Sequence, residues 1–262
     1  MRKTDLSRSA WGDAQLYWAT LGYLRWWWAT DGARLDVVRS IGGMTVGMLR
    51  SIALQYNVSR LILGSTKSKV VPEQGEEPND DPSATRLCAI LNAARANWPP
   101  NMPERARACL DIMDETKRQG VAKKDLASAT TKFMWFLEPS DWTVFDRFAK
   151  DGLGFKTPVK ARDQMLAFYE TLEARGFVAL AREMQQQIDK SPFRGLPAAR
   201  ILDTLLMARG GRGNDCASIA MHRGFLAALP ETTRDAATTL ATTLQLSFGH
   251  DVLKPDARKT AT

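Results

Sequence analysis

Apolar residues recur along this chain at the three- and four-residue spacings of amphipathic helices. The group Met165, Phe168, Tyr169 and Leu172 is typical. Two later groups repeat the pattern: Ile201, Leu202, Leu205 and Leu206, and then Ile219, His222, Leu226 and Leu229. The sequence contains no runs of alternating β-branched residues, which are the usual sign of strands. We therefore predict an all-α fold.

Proline and glycine residues punctuate these periodic segments instead of interrupting them. Pro158, Pro197 and Pro230 stand where helices are expected to start, and Gly176 and Gly210 stand where helices are expected to end. These five positions predict how the helices of the second half are separated.

One segment, 66–82, lacks any periodicity and is rich in Lys, Pro, Glu, Gly, Asn and Asp. This composition is typical of a solvated or disordered loop. We therefore predict helical lobes on either side of it and a polar tail at the end. The predicted parts are an N-terminal helical lobe 1–65, an acidic disordered loop 66–82, a main helical domain 83–250 and a flexible tail 251–262.

The chain is basic, with a net charge of +7 over 262 residues and a pI of about 9.4. The loop 66–82 holds two lysines and five acidic residues, so the rest has 34 basic and 24 acidic residues, a net charge of +10. A body this basic is compatible with a phosphate-backbone partner such as DNA. A basic surface without such a partner is the alternative that charge alone leaves open.

Composition also argues against several classes of protein. The longest apolar stretch, 16–29, is interrupted by Arg25 and is shorter than the roughly 18 residues that a membrane span needs. Three separated cysteines without a C-x-x-C pair, and only two histidines, favour neither a disulfide framework nor a metal centre. We expect a cytoplasmic protein with no membrane contact, no metal and no organic cofactor.

The N-terminal part is rich in tryptophan. Trp11 and Trp18 are two helical turns apart and are expected to share a face. We interpret that face as a core stripe, with a stacking surface for bases as the alternative. The consecutive tryptophans 26–28 point in three directions around a helix, so at least one should be partly exposed or contact another lobe.

The segment 124–154 carries the candidate chemistry. Four apolar residues share one helical stripe: Leu126, Ala129, Phe133 and Leu137. Lys132 flanks this stripe, where an ammonium group has a raised desolvation cost. Pro139 is expected to end the helix.

A second helix is predicted to start near Thr143. Thr143 as N-cap and Asp146 at the third helical position fit a capping box. The turn between the two helices, anchored by Trp142, would hold Lys132 and Asp146 14 positions apart. A helix cap and a plain ion pair, or a lysine that reaches out of the core, explain the same residues without catalysis.

The segment 131–147, T-K-F-M-W-F-L-E-P-S-D-W-T-V-F-D-R, resembles bacterial proteins with an 8-oxoguanine-glycosylase-like fold, in the helix-hairpin-helix DNA glycosylase superfamily. The resemblance covers residues 125–149. It implies two helical lobes around a DNA-binding cleft, with a site at Lys132 and Asp146. The implied reaction is hydrolysis of the N-glycosidic bond of a damaged or modified base, such as a glucosylated hydroxymethylcytosine of phage DNA, in repair or in antiviral defence.

The sequence departs from that superfamily at the hairpin itself. An apolar-Gly-x-Gly turn normally precedes the lysine, whereas residues 128–131 here read Ser-Ala-Thr-Thr. Asp146 would stabilise positive charge on the sugar and orient or deprotonate water. Lys132 would be auxiliary in this monofunctional route, and attack by its amine through a Schiff base is the alternative.

Several residues are candidates for contacts with DNA. Trp135 and Trp142 could hold the extruded base or fill its place, with the core as the alternative position. Polar candidates for the phosphate backbone are Asn57, Arg60, Lys156, Lys160, Arg209 and Arg212. A polar helix end at Asn57 and a solvated interhelical turn at 209–214 are their alternatives. The rival function is a non-catalytic helical module that binds DNA or another protein.

Overall fold

The computed structural model describes residues 10–58, 82–155, 160–250 and 252–253. Within these ranges the chain forms α-helices and a π-helical turn, Trp27–Asp31, and no β-strand, so the prediction of an all-α fold is confirmed. The predicted helix start Pro158 lies outside the described residues, as do Arg60, Lys156, nearly all of the loop 66–82 and most of the tail 251–262.

The helices are named in chain order. They are α1 Gln15–Trp26, α2 Gly32–Ile41, α3 Val46–Gln55, α4 Pro82–Arg95, α5 Met102–Arg118, α6 Ala127–Leu137, α7 Arg147–Gly152, α8 Ala161–Ala174, α9 Phe177–Asp189, α10 Ala198–Arg209, α11 Cys216–Ala227 and α12 Glu231–Phe248. Pro197 and Pro230 are the N-caps of α10 and α12. Gly176, with a φ of +69°, separates α8 from α9, and Gly210 caps the C-terminal end of α10. These predicted boundaries are confirmed.

The chain divides into two compact units, each built from segments that are not contiguous in sequence. The first unit comprises Met1–Ala29, Asp146–Pro158 and Ala174–Thr262, and the second comprises Thr30–Phe145 and Val159–Glu173. The first unit therefore contains α1, α7 and α9 to α12, and the second contains α2 to α6 and α8. The predicted lobes, by contrast, were continuous stretches.

The second unit is organised around α6. Every residue of this helix except Ser128 is buried, and α2, α3, α4 and α5 pack against it. The helix ends at Leu137, before Pro139, as predicted.

The first unit is organised around α1 and α10, which pack against each other. Both helices have buried residues on several of their faces. Helix α10 also contains a buried ion pair between Arg200 and Asp203, one turn apart. The guanidinium of Arg200 lies 5.6 Å from the ring centroid of Tyr23, on α1. The buried charges of α10 are therefore met by partners on α10 and α1, because an unpaired buried charge would be costly.

The short helix α7 packs against α10 through two glycines. A Cβ atom on Gly152 would overlap the carbonyl oxygen of Leu206, and a Cβ atom on Gly210 would overlap the carbonyl oxygen of Phe148. The two backbones therefore approach more closely than any side chain allows. This contact fixes the place of α7, whose N-terminal end carries Asp146.

The tryptophans of the N-terminal part meet His222 of α11. Its imidazole stacks on Trp18 and contacts Trp11 edge-on, with ring centroids 6.2 Å apart in both pairs. The two tryptophans therefore share one cluster around His222, although Trp11 is buried and precedes α1 whereas Trp18 is half-buried and lies on it. Trp28 is 43% exposed and packs beside Phe193 and Phe225, which confirms that one of the three consecutive tryptophans is partly exposed.

We predict that Gly152→Ala and Gly210→Ala each lower the free energy of unfolding by at least about 2 kcal/mol, because the new methyl group meets backbone that cannot rotate away. Chemical denaturation measures the change. Gly224→Ala is the matched control, since this glycine lies in α11 with open space around it. That control should be neutral or stabilising by up to about 1 kcal/mol. Equal effects at the three glycines would contradict the close approach of α7 and α10.

We also predict a pH dependence of stability that originates at His222. Burial, with the charge of Arg25, lowers the pKa of this imidazole to about 4. The imidazole of the unfolded chain therefore binds a proton below about pH 6.5, whereas the imidazole of the folded chain binds one only near pH 4. The free energy of unfolding falls across this window as pH decreases and then levels off. Urea denaturation between pH 7 and pH 4 should show His222→Gln losing about 2 kcal/mol less than wild type.

Candidate functional site

Lys132 lies on the central helix of the second unit and is only 5% exposed. Its Nζ donates a hydrogen bond to Ser128 Oγ at 2.6 Å, one turn earlier on α6. The same Nζ lies 5.7 Å from the ring centroid of Tyr56, over its face. Lys132 therefore lies within the core, whereas the sequence predicts that it only flanks the core, because neighbouring helices cover nearly all of α6.

Tyr56 follows α3 and is held by a helix stop. Asn57 has a φ of +54°, and the N–H of Val58 donates to Ala53 O at 2.8 Å, as in a Schellman motif. Asn57 is exposed, so it both ends the helix and remains within reach of a partner. Asn57 therefore does end a helix, as its alternative interpretation proposes.

A buried carboxylate lies behind Tyr56. The phenol O–H is 2.9 Å from both Oδ1 and Oδ2 of Asp31, which is 0% exposed. Thr30 Oγ1 donates to Asp31 Oδ1 at 3.3 Å. Lys132, Tyr56 and Asp31 thus form a continuous polar path from α6 through the end of α3 to the π-helical turn.

Sequence reasoning missed Asp31, Tyr56 and Ser128 as members of this group. Ser128 carries a usable signal, because positions i and i+4 face each other on a helix. Asp31 and Tyr56 give a weaker signal, a lone acid after a tryptophan run and a tyrosine before asparagine, and nothing in the spacing relates them to Lys132.

The segment between α6 and α7 is pinned to the second unit at several points. Phe145 N donates to Thr131 Oγ1 at 3.1 Å, Trp142 Nε1 donates to Glu138 O at 2.7 Å, and Tyr169 Oη donates to Thr143 O at 2.8 Å. The predicted anchoring of this turn by Trp142 is confirmed. The chain thus leaves α6, turns, and returns to the residue beside Lys132.

Asp146 is the N-cap of α7, which corrects the predicted capping box. Its Oδ1 accepts a hydrogen bond from Phe148 N at 3.0 Å, and α7 begins only at Arg147. Thr143 is fully buried and no helix begins directly after it, so it is not the N-cap. The carboxylate therefore stands at the N-terminal end of a helix, where a backbone N–H group fixes one of its oxygens.

The carboxylate of Asp146 keeps a small opening to solvent. Its side chain is 14% exposed, and Arg212 Nη1 lies 3.9 Å from its Oδ2, at the outer limit of an ion pair. The Arg212 side chain is 57% exposed and its guanidinium lies 5.5 Å from the ring centroid of Phe148. Asp146 is thus fixed by one oxygen and has a cation beside the other, without being sealed.

Lys132 belongs to the second unit, whereas Asp146, the first residue beyond that unit's boundary, belongs to the first. The predicted pair is divided between the two units, one member in each. Each member has a defined local setting: a polar path through the core for the lysine, and a helix N-terminus with an adjacent arginine for the aspartate.

The other sequence-predicted residues fall into different environments. Trp135 and Trp142 are 0% exposed, so their indoles present no face to a base in this structure. Arg209 is half-buried and donates to Gln15 Oε1 at 3.0 Å and to the carbonyl oxygen of Val252, while burial lowers its pKa. Lys160 is exposed and, with Arg212 and Asn57, is available at the surface.

Three further findings bear on the class of site. Among the described residues, no group of three or more His, Cys, Asp or Glu side chains could hold a metal ion. No described helix combines the length and the apolar character that crossing a bilayer requires. The cysteines 88, 109 and 216 are all free thiols, and burial raises the pKa of Cys88 to about 11.

Comparison of the chain with protein-family models, with curated proteins and with solved structures gave no match. A functional assignment therefore rests on the settings of Lys132 and Asp146 and on the resemblance of residues 125–149.

Proposed function

We propose that this protein is a DNA glycosylase that hydrolyses the N-glycosidic bond of a damaged or modified base. The observation that carries the proposal is the state of Asp146, a carboxylate fixed at a helix N-terminus, 14% exposed and 3.9 Å from an arginine. The proposal includes the finer fold assignment, a helix-hairpin-helix glycosylase-like architecture with a DNA-binding cleft. It draws further support from the basic net charge of the chain.

The reaction gives the carboxylate of Asp146 two tasks, to stabilise positive charge and to accept a proton. As the bond between C1′ and the base nitrogen breaks, its electron pair leaves with the base and positive charge develops on the sugar. The ionised carboxylate stabilises this charge and accepts a proton from the attacking water, whose oxygen forms the new bond to C1′. The proton then passes to the departing base, so the step consumes only water.

The hydrogen bond from Phe148 N fits this task because it fixes one carboxylate oxygen and leaves the other beside Arg212. A carboxylate that stabilises developing charge must not rotate, and the hydrogen bond from the helix N-terminus holds it in one orientation. Arg212 is exposed enough to contact a DNA phosphate while remaining next to Asp146.

Lys132 has the auxiliary role in this proposal. An ammonium that is 5% exposed and donates to Ser128 Oγ at 2.6 Å is a fixed positive charge rather than a mobile amine. Such a charge favours the anionic leaving base electrostatically and need not form a covalent bond. The absence of the glycine hairpin before Lys132 points in the same direction.

The extruded base must leave the stack to reach the site. Because Trp135 and Trp142 are buried, surface residues are the better candidates for contact with DNA, namely Asn57, Lys160 and Arg212. The identity of the base, whether a lesion in repair or a modified phage base in defence, follows from measuring which bases are released.

We predict that Asp146→Asn lowers base release by at least about 100-fold, because the amide can neither stabilise positive charge nor accept the proton. Asparagine is as good an N-cap as aspartate, so α7 and DNA binding should be retained. Mass spectrometry of free bases released from several DNAs, including modified phage DNA, measures the loss. Asp215→Asn is the matched control, since Asp215 caps α11 by accepting from Ser218 N in the same unit.

Equal base release by Asp146→Asn and the control would rule out the role of Asp146. If wild type releases no base from any DNA, while both variants bind DNA as wild type does, the protein is instead a non-catalytic DNA-binding module.

We further predict that sodium borohydride traps no covalent adduct between the active protein and its DNA substrate, because water and not the Lys132 amine attacks C1′. Denaturing gel electrophoresis detects such adducts. An adduct that forms with wild type and with Lys190→Gln, an exposed control, but not with Lys132→Gln, would establish the amine route instead.

A further inference from the structure

We propose that Tyr56, fixed by the buried carboxylate of Asp31, is a positioning residue that holds the Lys132 ammonium in place for base excision; this inference rests on the proposed glycosylase function. The path that carries it lies wholly within the second unit. Lys132 Nζ stands over the Tyr56 ring at 5.7 Å from its centroid, and the Tyr56 hydroxyl reaches both oxygens of Asp31 at 2.9 Å.

Asp31 gives this contact its strength. A phenol that donates its proton to a carboxylate gains electron density in the ring, and the negative face of an aromatic ring is what attracts a cation. Since Asp31 is 0% exposed, its hydrogen bonds with the Tyr56 hydroxyl are shielded from competing water. The carboxylate thus supports the lysine from a distance, through the ring.

The ring itself is held in place by the end of α3. The left-handed Asn57 stops the helix directly after Tyr56, and Phe136 of α6 packs edge-on against the ring with centroids 5.9 Å apart. The hydrogen bond from the Tyr56 hydroxyl to Asp31 restrains the other end of the ring. Tyr56 therefore has no free rotation that would take its face away from Lys132.

Ser128 and Tyr56 hold the ammonium from two different elements. Ser128 belongs to α6 itself, one turn before Lys132, whereas Tyr56 belongs to the end of α3. A lysine side chain has four rotatable bonds, so a single contact would leave its head free to move. Contacts from two elements restrict it to one orientation, which an electrostatic role in catalysis requires.

Three variants test the inference. Tyr56→Leu removes the ring, and Tyr56→Phe keeps the ring but removes the hydroxyl. Tyr23→Leu is the matched control, because Tyr23 is a buried tyrosine of α1, in the first unit, whose ring also lies beside a cation, the Arg200 guanidinium at 5.6 Å from the ring centroid. Base release is measured per folded molecule as kcat and KM.

We expect Tyr56→Leu to lower kcat about tenfold with KM unchanged, because the ammonium loses its orientation while DNA binding does not involve it. Tyr56→Phe should have an intermediate kcat, about threefold below wild type, because the ring face remains but the hydrogen bond to Asp31 is lost. Tyr23→Leu should stay within about twofold of wild type per folded molecule. Equal losses of kcat in Tyr56→Leu and Tyr23→Leu, or a kcat of Tyr56→Phe no higher than that of Tyr56→Leu, would overturn the positioning role.

A second measurement does not depend on catalysis. Native lysine acetylation with an N-hydroxysuccinimide ester, followed by peptide mass spectrometry, reports how accessible and mobile each lysine is. Lys132 should react at least about tenfold faster in Tyr56→Leu than in wild type or Tyr23→Leu, with exposed Lys160 as the internal reference. Unchanged labelling of Lys132 in Tyr56→Leu overturns the inference. Faster labelling together with a wild type that releases no base overturns the proposed glycosylase reaction instead.

Discussion

The burial of the Lys132 ammonium in an apolar central helix is the constraint around which the second unit is arranged. A buried charge is tolerated only when hydrogen bonds and opposite charge surround it. Ser128 supplies a hydroxyl from the same helix, Tyr56 supplies a ring face from the end of α3, and Asp31 supplies a carboxylate behind that ring. Helix α6, helix α3 and the π-helical turn are therefore tied together by one polar path.

Much of the fold could be predicted from the sequence because helical periodicity records burial directly. The buried residues Met165, Phe168, Tyr169 and Leu172 of α8 are the predicted stripe, and the N-cap prolines 197 and 230 are where they were expected. Thr143 failed as a cap because it lies in the core, and a local motif carries no information about such burial. The continuous lobes also differ from the two units, since periodicity does not say which helices pack together.

Only part of the candidate site could be predicted from the sequence. Lys132 and Asp146 stand in a short segment with a recognisable pattern, so both could be named. Tyr56 and Asp31 lie 76 and 101 positions before Lys132, and their contacts exist only once α3 and the π-helical turn pack against α6. The sequence allows either the core or a DNA contact for the indoles of Trp135 and Trp142, because their full burial depends on tertiary neighbours that the pattern of a single helix does not reveal.

The glycine contact between α7 and α10 has a consequence for how the first unit opens. A helix of six residues is too short to persist alone in water, so α7 exists only while its backbone rests on α10. Unfolding of the C-terminal end of α10 would therefore unfold α7 in the same cooperative event. The carboxylate of Asp146 would then lose its hydrogen bond from Phe148 N. The orientation of that carboxylate is thus as stable as the end of a helix more than fifty residues later in the chain.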